Sequence, residues 1–197
     1  MPDGAAPSGL IGPNALTQLL PLLEQAGGED LRDALLLEAG IVTLPDMTGL
    51  IDEAPVARLH QVMRAELPEL APSLAWKAGE RTADYILANR IPHGVQMLLK
   101  ILPSAISAPM LARAIARNAW TFAGSGAFEV RSLRPVTFAI RDNPVVRGEF
   151  AAHTLCHWHA AVFERLFRLL VDDRLRAREA ACCAMGERAC VFVIARP

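Results

Sequence analysis

The stretch LRAREAACCAMGERACVFVIA, residues 175–195, decides how the C-terminal part of this chain folds. It predicts a β-hairpin with strands over residues 175–185 and 190–195, because turn residues at Gly186-Glu187 separate two runs of strand-forming side chains. Three of the four cysteines of the chain lie in this hairpin, and the fourth, Cys156, precedes it. The hairpin therefore carries both a structural signal and most of the chemistry-bearing residues of the sequence.

A long amphipathic helix is predicted just before the hairpin, over residues 148–172, because apolar side chains recur there at helical spacing. Two antiparallel strands are predicted before that helix, around residues 128–132 and 135–140, followed by a turn at Asp142-Asn-Pro. Helices followed by strand, strand, helix, strand, strand predict an α+β fold. In this fold N-terminal helices accompany a small antiparallel β-sheet packed with a long helix.

The first part of the chain is predicted to be helical. Residues 1–13 predict a flexible arm rich in Gly, Pro and Ala, and residues 14–197 a single domain, helical over 14–120 and α+β over 121–197. Asn14 is expected to cap the first helix, a second helix is expected over Asp30–Ala39, and prolines 68, 72, 92, 103 and 109 are expected to separate later helices. One apolar stripe is predicted to be buried core: Ile86, Ile91, Val95, Leu98, Leu99 and Leu102.

Composition limits the function classes. The chain has 197 residues, of which 52% are hydrophobic and 21% charged, so it can bury a core and wholesale disorder is excluded. The formal net charge of −1 disfavours a nucleic-acid binder. No stretch has the pattern of a transmembrane helix or a signal peptide, which predicts a cytoplasmic protein. In that reducing compartment cysteines are expected as metal ligands or free thiols rather than disulfides.

Four residues are candidate metal ligands: Cys156, Glu179, Cys182 and Cys190. Three thiolates and one carboxylate suit a tetrahedral zinc ion. Glu179 and Cys182 are three residues apart, so on a regular strand they would face opposite sides; both can be ligands only if the strand is bulged near Ala180-Ala181. From spacing alone, buried structural cysteines, redox chemistry and, less favourably, an iron–sulfur cluster remain alternatives. Cys183 is expected to point away from Cys182 and not to be a ligand.

These residues carry a resemblance. Cys156, then Glu179-Ala-Ala-Cys182 and Gly186-Glu-Arg-Ala-Cys190, resembles the vinyl-4-reductase domain family, whose members bind zinc through a cysteine on a long helix and a Glu-x-x-Cys-x7-Cys hairpin. All four positions have a match here, so the resemblance implies structural Zn²⁺. It also implies a fold shared with trafficking-complex subunits and nitric-oxide-sensing haem domains, and a homodimer. We expect the dimer interface on the N-terminal helices, over Asn14–Gln25 and Asp30–Ala39.

Further segments extend the resemblance to nearly the whole chain, and they match the bacteriochlorophyll 4-vinyl reductase branch of this family in photosynthetic purple bacteria. These segments are Ile91-Pro-His-Gly, Phe122-Ala-Gly-Ser-Gly, Asp142-Asn-Pro and the run from Cys156 to Phe167. The branch implies a role at vinyl-group reduction of a chlorophyllide-type magnesium tetrapyrrole, with enzymes of bacteriochlorophyll synthesis as partners. It leaves open a peripheral position at the photosynthetic membrane.

Whether the chain catalyses is open at this point, and the catalytic residues are unknown. The Gly124-Ser-Gly126 pair lacks the third glycine of a dinucleotide-binding motif and is explained by a strand bend. One interpretation is a carrier that delivers the divinyl pigment; the alternative is the reductase itself, drawing electrons from an external donor. A sensor of small aromatic compounds is a third, weaker interpretation.

Candidate pigment-binding residues are His93, Trp120, Phe122 and His157. A neutral imidazole of His93 or His157 could be an axial ligand of magnesium, and aromatic rings could cover the macrocycle. The pigment site is expected as an apolar cleft formed by segments 90–120 and 121–140, with Arg90 and Arg141 as candidates for meeting a propionate. Its expected lining comprises Met97, Ile101, Trp120, Phe122 and Phe128.

Overall fold

A computed structural model of the protein describes residues 9–197. The helices are α1 (Asn14–Thr17), α2 (Leu20–Glu38), α3 (Glu53–Glu66), α4 (Ala71–Asn89), α5 (His93–Ile101), α6 (Ser104–Arg117), α7 (Trp120–Ala123) and α8 (His157–Leu170). The strands are β1 (Leu10–Ile11), β2 (Ile51–Asp52), β3 (Ala127–Leu133), β4 (Val136–Arg141), β5 (Arg176–Ala181) and β6 (Cys190–Ala195). The predicted α+β class, with helices before a small antiparallel sheet, is confirmed.

The larger sheet has the strand order β3-β4-β6-β5, and every neighbouring pair is antiparallel. Its inner face packs against α8 through fully buried aromatic rings. The ring centroids of Phe138 and Phe163 are 4.9 Å apart, and those of Phe163 and Phe192 are 5.3 Å apart. Edge-to-face contacts at these distances stabilise a core beyond the burial of area alone. Helix α8 is thereby held on the sheet.

The opposite side of α8 packs against α4. A Cβ at Gly79 would collide with the carbonyl oxygen of Trp158, so only glycine allows this close approach. The indole N–H of Trp158 donates to the hydroxyl of Thr82 at 3.2 Å. Because α8 lies between the sheet and the helical layer, almost all of its side chains are buried.

The predicted arm over residues 1–13 is partly wrong. Residues 1–8 lie outside the described residues, but Leu10–Ile11 forms a strand that pairs with Ile51–Asp52. The Ile11 side chain is buried, and Gly12 N–H donates to the carbonyl of Thr121 at 2.8 Å. Burial of an apolar side chain and backbone pairing together hold this segment.

A buried carboxylate fixes the same region. Glu53 accepts hydrogen bonds from the hydroxyl and the backbone N–H of Ser125, and it pairs with Arg147 at 3.2 Å. Arg147 also donates to the Ser125 hydroxyl and to the carbonyl of Asp142. This network ties the start of α3 to the turn before β3 and to the segment leading toward α8.

Several helix predictions are corrected. Asn14 is the first residue of α1 rather than its cap, and α2 runs on to Glu38 but has a kink with non-helical backbone at Gly27-Gly28. Pro109 lies inside α6 instead of separating two helices. The proline removes the N–H that would reach the carbonyl of Ala105, and Arg134 donates to that carbonyl instead.

The predicted long helix begins late. The sequence predicts it over residues 148–172, whereas α8 spans His157–Leu170 and Cys156 is its N-cap residue. Gly148 has a φ of +80°, which ends any helical path there. The backbone N–H of Ala151 instead donates to the carbonyl of Ala184, so this segment packs along the hairpin.

The stripe predicted as buried core is mostly not buried. Of its six residues only Leu99 is buried; Val95 and Leu98 are 45% and 43% exposed, and the others are half-buried. The exposed face of α5 also includes Met97 and Ile101. Helical spacing of apolar residues marks a face of a helix, but it does not say which face meets the core.

Candidate metal centre

The structure brings together the four predicted ligands, Cys156, Glu179, Cys182 and Cys190. One ligand atom from each lies within 4.8 Å of all the others. The sulfur atoms are 3.4 Å apart for Cys156 and Cys190, 3.9 Å for Cys182 and Cys190, and 4.0 Å for Cys156 and Cys182. All three cysteines are buried, and none forms a disulfide. This compact group of soft donors could hold a metal ion.

A bulge in β5 makes the arrangement possible. The register between β5 and β6 shifts between Glu179, which pairs with Phe192, and Ala181, which pairs with Val191. The irregularity lies where the sequence required one, since without it Glu179 and Cys182 would point to opposite sides. The predicted bulge near Ala180-Ala181 is confirmed.

The turn of the hairpin places the remaining cysteines. A short 3₁₀ helix, Cys183–Met185, follows Cys182, and Gly186 closes it in the left-handed region. The backbone N–H of Cys183 donates to the sulfur of Cys190 at 3.3 Å. The sulfur of Cys183 lies 3.9 Å from the carbonyl of Ile140, outside the four-residue group. The chain thus turns Cys183 away, as expected.

Hydrogen bonds from the surrounding backbone and side chains hold the ligands. The N–H of Cys156 donates to Oε2 of Glu179 at 2.8 Å, and the amide of Asn143 donates to the sulfur of Cys156 at 3.3 Å. Asn143 is fully buried, and its Oδ1 accepts from the N–H of Val145. Sequence analysis recognised Asn143 only as a turn residue, because a bond to a sulfur 13 positions away has no local signal.

One oxygen of the group has no hydrogen-bond partner. Oε1 of Glu179 is buried and unpaired among the described residues. An unpaired buried carboxylate oxygen is costly, and coordination of a cation would satisfy it. The orphaned oxygen and the adjacent sulfurs therefore fit a bound metal ion.

The electrostatics of the metal-free group point the same way. Burial raises the pKa of the Cys156 thiol, and burial together with the neighbouring Cys182 raises the pKa of the Glu179 carboxyl to about 8. The pKa of Cys182 is lowered, chiefly because the thiol of Cys156 can donate to its sulfur. Four acidic groups in one buried site retain protons unless a cation replaces them.

The predicted pigment-binding residues lie on three helices. His93 begins α5 and is exposed, Trp120 begins α7 and is 55% exposed, and His157 begins α8 and is half-buried. Phe122 is half-buried: its ring packs 5.2 Å from Phe128 and 5.6 Å from Phe163, so it belongs to the aromatic core. Burial, followed by the charge of His153, lowers the pKa of His157.

The expected apolar cleft has a different form. Met97, Ile101 and Trp120 are exposed surface rather than cleft walls. A groove of about 410 Å³ lies elsewhere, between the start of α6, the β3–β4 turn and the ends of α8 and β6. None of the four predicted pigment residues lines it.

Two buried histidines were not predicted as a feature. The ring of His60 shares a hydrogen bond of 2.9 Å with the carbonyl of Ala15, and that of His159 one of 3.2 Å with the carbonyl of Phe122. Burial lowers their pKa values to about 3 and about 4, so both are neutral at physiological pH. In the described structure the Nδ1 atom of each lacks a hydrogen-bond partner.

Comparison with known proteins agrees with this architecture. Residues 136–196, which contain all four ligands, match the model of the vinyl-4-reductase domain. Over 95% of its length the chain resembles the H-NOX protein from K. algicida, covering 97% of that structure with a TM-score of 0.60 at 13% identity. An H-NOX protein from S. oneidensis gives a TM-score of 0.57 at 11% identity, covering 95% of this chain and 99% of that one. The fold is therefore the H-NOX-like α+β fold, here with a cysteine cluster at the C-terminal hairpin.

Two curated relatives are much closer in sequence. The bacteriochlorophyll synthase 23 kDa chain of Cereibacter sphaeroides is 51% identical over 189 residues, which is 96% of this chain and 92% of that protein. The protein of the same name in Rhodobacter capsulatus is 42% identical, over 98% of this chain and 92% of that protein. The chain belongs to this family, which confirms the resemblance to a vinyl-4-reductase-domain protein of photosynthetic purple bacteria. No helix among the described residues is long and apolar enough to cross a membrane.

Proposed function

We propose that Cys156, Glu179, Cys182 and Cys190 bind one zinc ion. In a tetrahedral zinc site, bonds of about 2.3 Å to sulfur place neighbouring thiolates about 3.8 Å apart. The three sulfur–sulfur distances of 3.4, 3.9 and 4.0 Å lie close to that value before any ion is added. Three soft thiolates favour zinc over magnesium or calcium, which prefer oxygen ligands.

The role of this zinc is structural. Four protein ligands complete the tetrahedron, and the ion supplies cross-linking rather than an open coordination position. Cys156 caps α8, whereas Glu179, Cys182 and Cys190 lie on the hairpin. The site fastens the start of the central helix to two strands of the sheet, which sequence-local contacts could not do.

We propose further that the protein acts in bacteriochlorophyll synthesis by binding a chlorophyllide-type magnesium tetrapyrrole and delivering it to enzymes of that synthesis. The single observation that carries this proposal is 51% identity, over 96% of the chain, to a protein named as a bacteriochlorophyll synthase chain. Delivery rather than reduction is favoured because the proposed metal centre is a closed structural site. The glycines of the Gly124-Ser-Gly126 pair also have packing roles: a Cβ at Gly126 would lie 2.9 Å from two carbonyl oxygens.

The pigment is proposed to lie against α5 and α7. His93 is exposed, so its imidazole can reach a magnesium ion, and Met97 lies one helical turn further on the same face of α5. Trp120 offers an exposed ring, while Phe122 supports it from the aromatic core. His157 is the second candidate for the axial ligand, but it is half-buried and next to Cys156.

Titration with the divinyl chlorophyllide tests this proposal. The purified zinc-loaded protein should shift the pigment's absorption and quench its fluorescence, and NADPH should leave the pigment spectrum unreduced. His93→Ala should weaken binding about tenfold or more if it supplies the axial ligand. His153→Ala is the matched control, since His153 is also exposed but precedes α8. Conversion to the monovinyl pigment would establish the reductase alternative, with an external electron donor, and no binding would remove the carrier proposal.

We propose a homodimer as well, from the family resemblance. The leucines expected to form its interface on the N-terminal helices, Leu16, Leu19 and Leu23, are buried within the chain itself. An interface on these helices would thus use their outward faces, where Leu37 is 72% exposed. Light scattering should give about twice the chain mass of 21.3 kDa, and a mass of one chain at micromolar concentration would reject the dimer.

A further inference from the structure

Exposed apolar side chains concentrate on one part of the molecule. Seven of the sixteen exposed large hydrophobic side chains among the described residues fall between His93 and Trp120. We call this surface the α5–α6 face; it comprises Val95, Met97, Leu98, Ile101, Ile106, Met110 and Trp120. Ile101 is the most exposed of them, at 74%. Single exposed apolar residues need no explanation, but a concentration of this kind marks an interaction surface.

The positions follow the geometry of two consecutive helices. On α5, Met97 and Ile101 are four residues apart and Leu98 adjoins them, so the three share the outward face. On α6, Ile106 and Met110 are likewise four apart. Only Leu102 and Pro103 separate α5 from α6, so the two outward stripes follow each other directly along the chain.

The same surface is basic. Between Asp84 and Glu129 the sequence contains no acidic residue, while it contains Arg90, Lys100 and two further arginines. Arg113 and Arg117 continue the stripe of Ile106 and Met110 along α6, at helical spacing. All four basic side chains are exposed. The chain as a whole has a net charge of −1, so the positive charge here is a local asymmetry.

No carboxylate neutralises this charge within the described part of the chain. The nearest acidic residues in sequence are paired elsewhere, Asp84 with Arg165 at 3.0 Å and Glu129 with Arg131 at 2.7 Å. A second copy of the chain is a poor occupant, since a two-fold contact through this face would bring Lys100, Arg113 and Arg117 against the same cations. The occupant must therefore be both negatively charged and able to receive apolar side chains.

We propose that the α5–α6 face docks the protein onto an anionic phospholipid bilayer surface. Apolar side chains on the outward face of a helix enter the boundary between headgroups and acyl chains, while neighbouring basic residues attract anionic headgroups. Trp120 suits this boundary, because an indole combines an apolar ring with a polar N–H. The protein lies on the membrane without spanning it.

This inference goes beyond the proposed function and does not depend on it. Docking is tested with pigment-free protein and pigment-free vesicles, so failure to bind lipid and failure to bind pigment are separate results. If both hold, the carrier meets an apolar pigment at the surface where such a pigment dissolves.

Vesicle flotation gives the direct test. Zinc-loaded wild-type protein should float with vesicles containing about one third phosphatidylglycerol and should bind pure phosphatidylcholine vesicles at least about tenfold more weakly. Binding should weaken as salt is raised, because salt screens the basic side chains. The emission of Trp120 should shift to the blue on binding, and Trp120→Phe should abolish most of that shift, since Trp158 is buried.

Two pairs of variants separate the apolar and basic contributions. Met97→Ser with Ile101→Ser should weaken binding to both kinds of vesicle, whereas Arg113→Gln with Arg117→Gln should weaken only binding to anionic vesicles, by about tenfold. Leu37→Ser with Val42→Ser is the control for exposed apolar residues outside the face, and Arg178→Gln is the control for an exposed arginine. All these positions are exposed or on the outward face, so circular dichroism and zinc content should stay at wild-type values.

Three results would overturn the proposal. The first is no binding of the wild type to anionic vesicles at low salt, and the second is equal loss in the face variants and their controls. The third is a dimer in solution that the Met97→Ser, Ile101→Ser variant dissociates, which would assign the face to a second copy of the chain.

Discussion

The metal centre and the α5–α6 face are built from opposite relations between sequence pattern and burial. In the metal centre, polar and ionisable side chains that usually face water are gathered inside, around Cys156 and Glu179. On the α5–α6 face, apolar side chains that usually form core, such as Ile101, lie outside. The comparison teaches that a rare set of residues at fixed spacing identifies a site more surely than hydrophobic periodicity identifies a core.

The largest effect expected is from removing one ligand. Cys182→Ser should reduce zinc from about one ion per chain to near zero and lower the free energy of unfolding by about 4 kcal/mol, because structural zinc contributes directly to folding. For a chain of this size that is roughly 10 °C in melting temperature. Metal analysis and thermal unfolding measure both.

Cys183→Ser provides the matched control for that variant. It changes the next residue to the same side chain, but the Cys183 sulfur lies outside the ligand group. Zinc content should stay near one per chain. Equal metal loss in the two variants would show that the cluster has been assigned to the wrong residues.

The second effect tests the face from its buried side. Leu99 is the buried residue of α5, 3% exposed, so Leu99→Ala should cost about 2–4 kcal/mol through lost burial and a cavity. Chemical denaturation measures this loss. A cost below about 1 kcal/mol would mean that α5 contributes little to the core, and the distinction between its two sides would fail.

Asn143 tests whether the environment of the ligands matters beyond the ligands themselves. Asn143→Ala removes the bond to the Cys156 sulfur and the bond from Val145 N–H, and should weaken zinc affinity about tenfold. Competition with a chromophoric chelator measures the affinity. Asn118→Ala is the control, because Asn118 is exposed and bonds only within its own helix at the carbonyl of Ala114. An unchanged affinity in Asn143→Ala would limit the centre to its four ligands.

The pH dependence of stability should differ between the metal-free and zinc-loaded protein. Burial raises the pKa of Glu179 to about 8, whereas in the unfolded chain it is about 4. Between these values the folded metal-free protein holds a proton that the unfolded chain lacks, so its stability falls as pH rises. Zinc displaces that proton, so the gain in melting temperature on adding zinc should grow from about pH 6 to about pH 8. A gain independent of pH would contradict the protonated carboxyl.

The smallest effect is expected two residues from Leu99. Ile101→Ala should change the free energy of unfolding by no more than about 0.5 kcal/mol, because the side chain is 74% exposed. Denaturation of the two variants side by side measures the contrast. A cost for Ile101→Ala comparable with that for Leu99→Ala would show that the outward side of α5 is packed after all.

The sequence was informative where chemistry and spacing acted together. The hairpin, the bulge near Ala180-Ala181 and the exclusion of Cys183 all followed from the need to place Glu179 and Cys182 on one side of a strand. The α+β class followed from the order of helical and strand patterns. These inferences used short-range geometry, which a sequence carries directly.

The rest depended on tertiary contacts. Helix α8 begins at His157 because the preceding segment packs along the hairpin, as the bond from Ala151 to Ala184 records. Residues Leu10–Ile11 form a strand only because Ile51–Asp52 is available to pair with them. Pro109 is tolerated inside a helix because Arg134 satisfies the carbonyl it leaves unpaired. None of these partners is close in sequence.

X-ray absorption at the zinc edge, on protein purified without added metal, tests the central claim most directly. The account predicts about one zinc per chain, with three sulfur ligands at about 2.3 Å and one oxygen ligand at about 2.0–2.2 Å. That coordination would match Cys156, Cys182, Cys190 and the otherwise unpaired oxygen of Glu179. A folded protein without stoichiometric metal, or a zinc shell made mainly of nitrogen and oxygen, would contradict it.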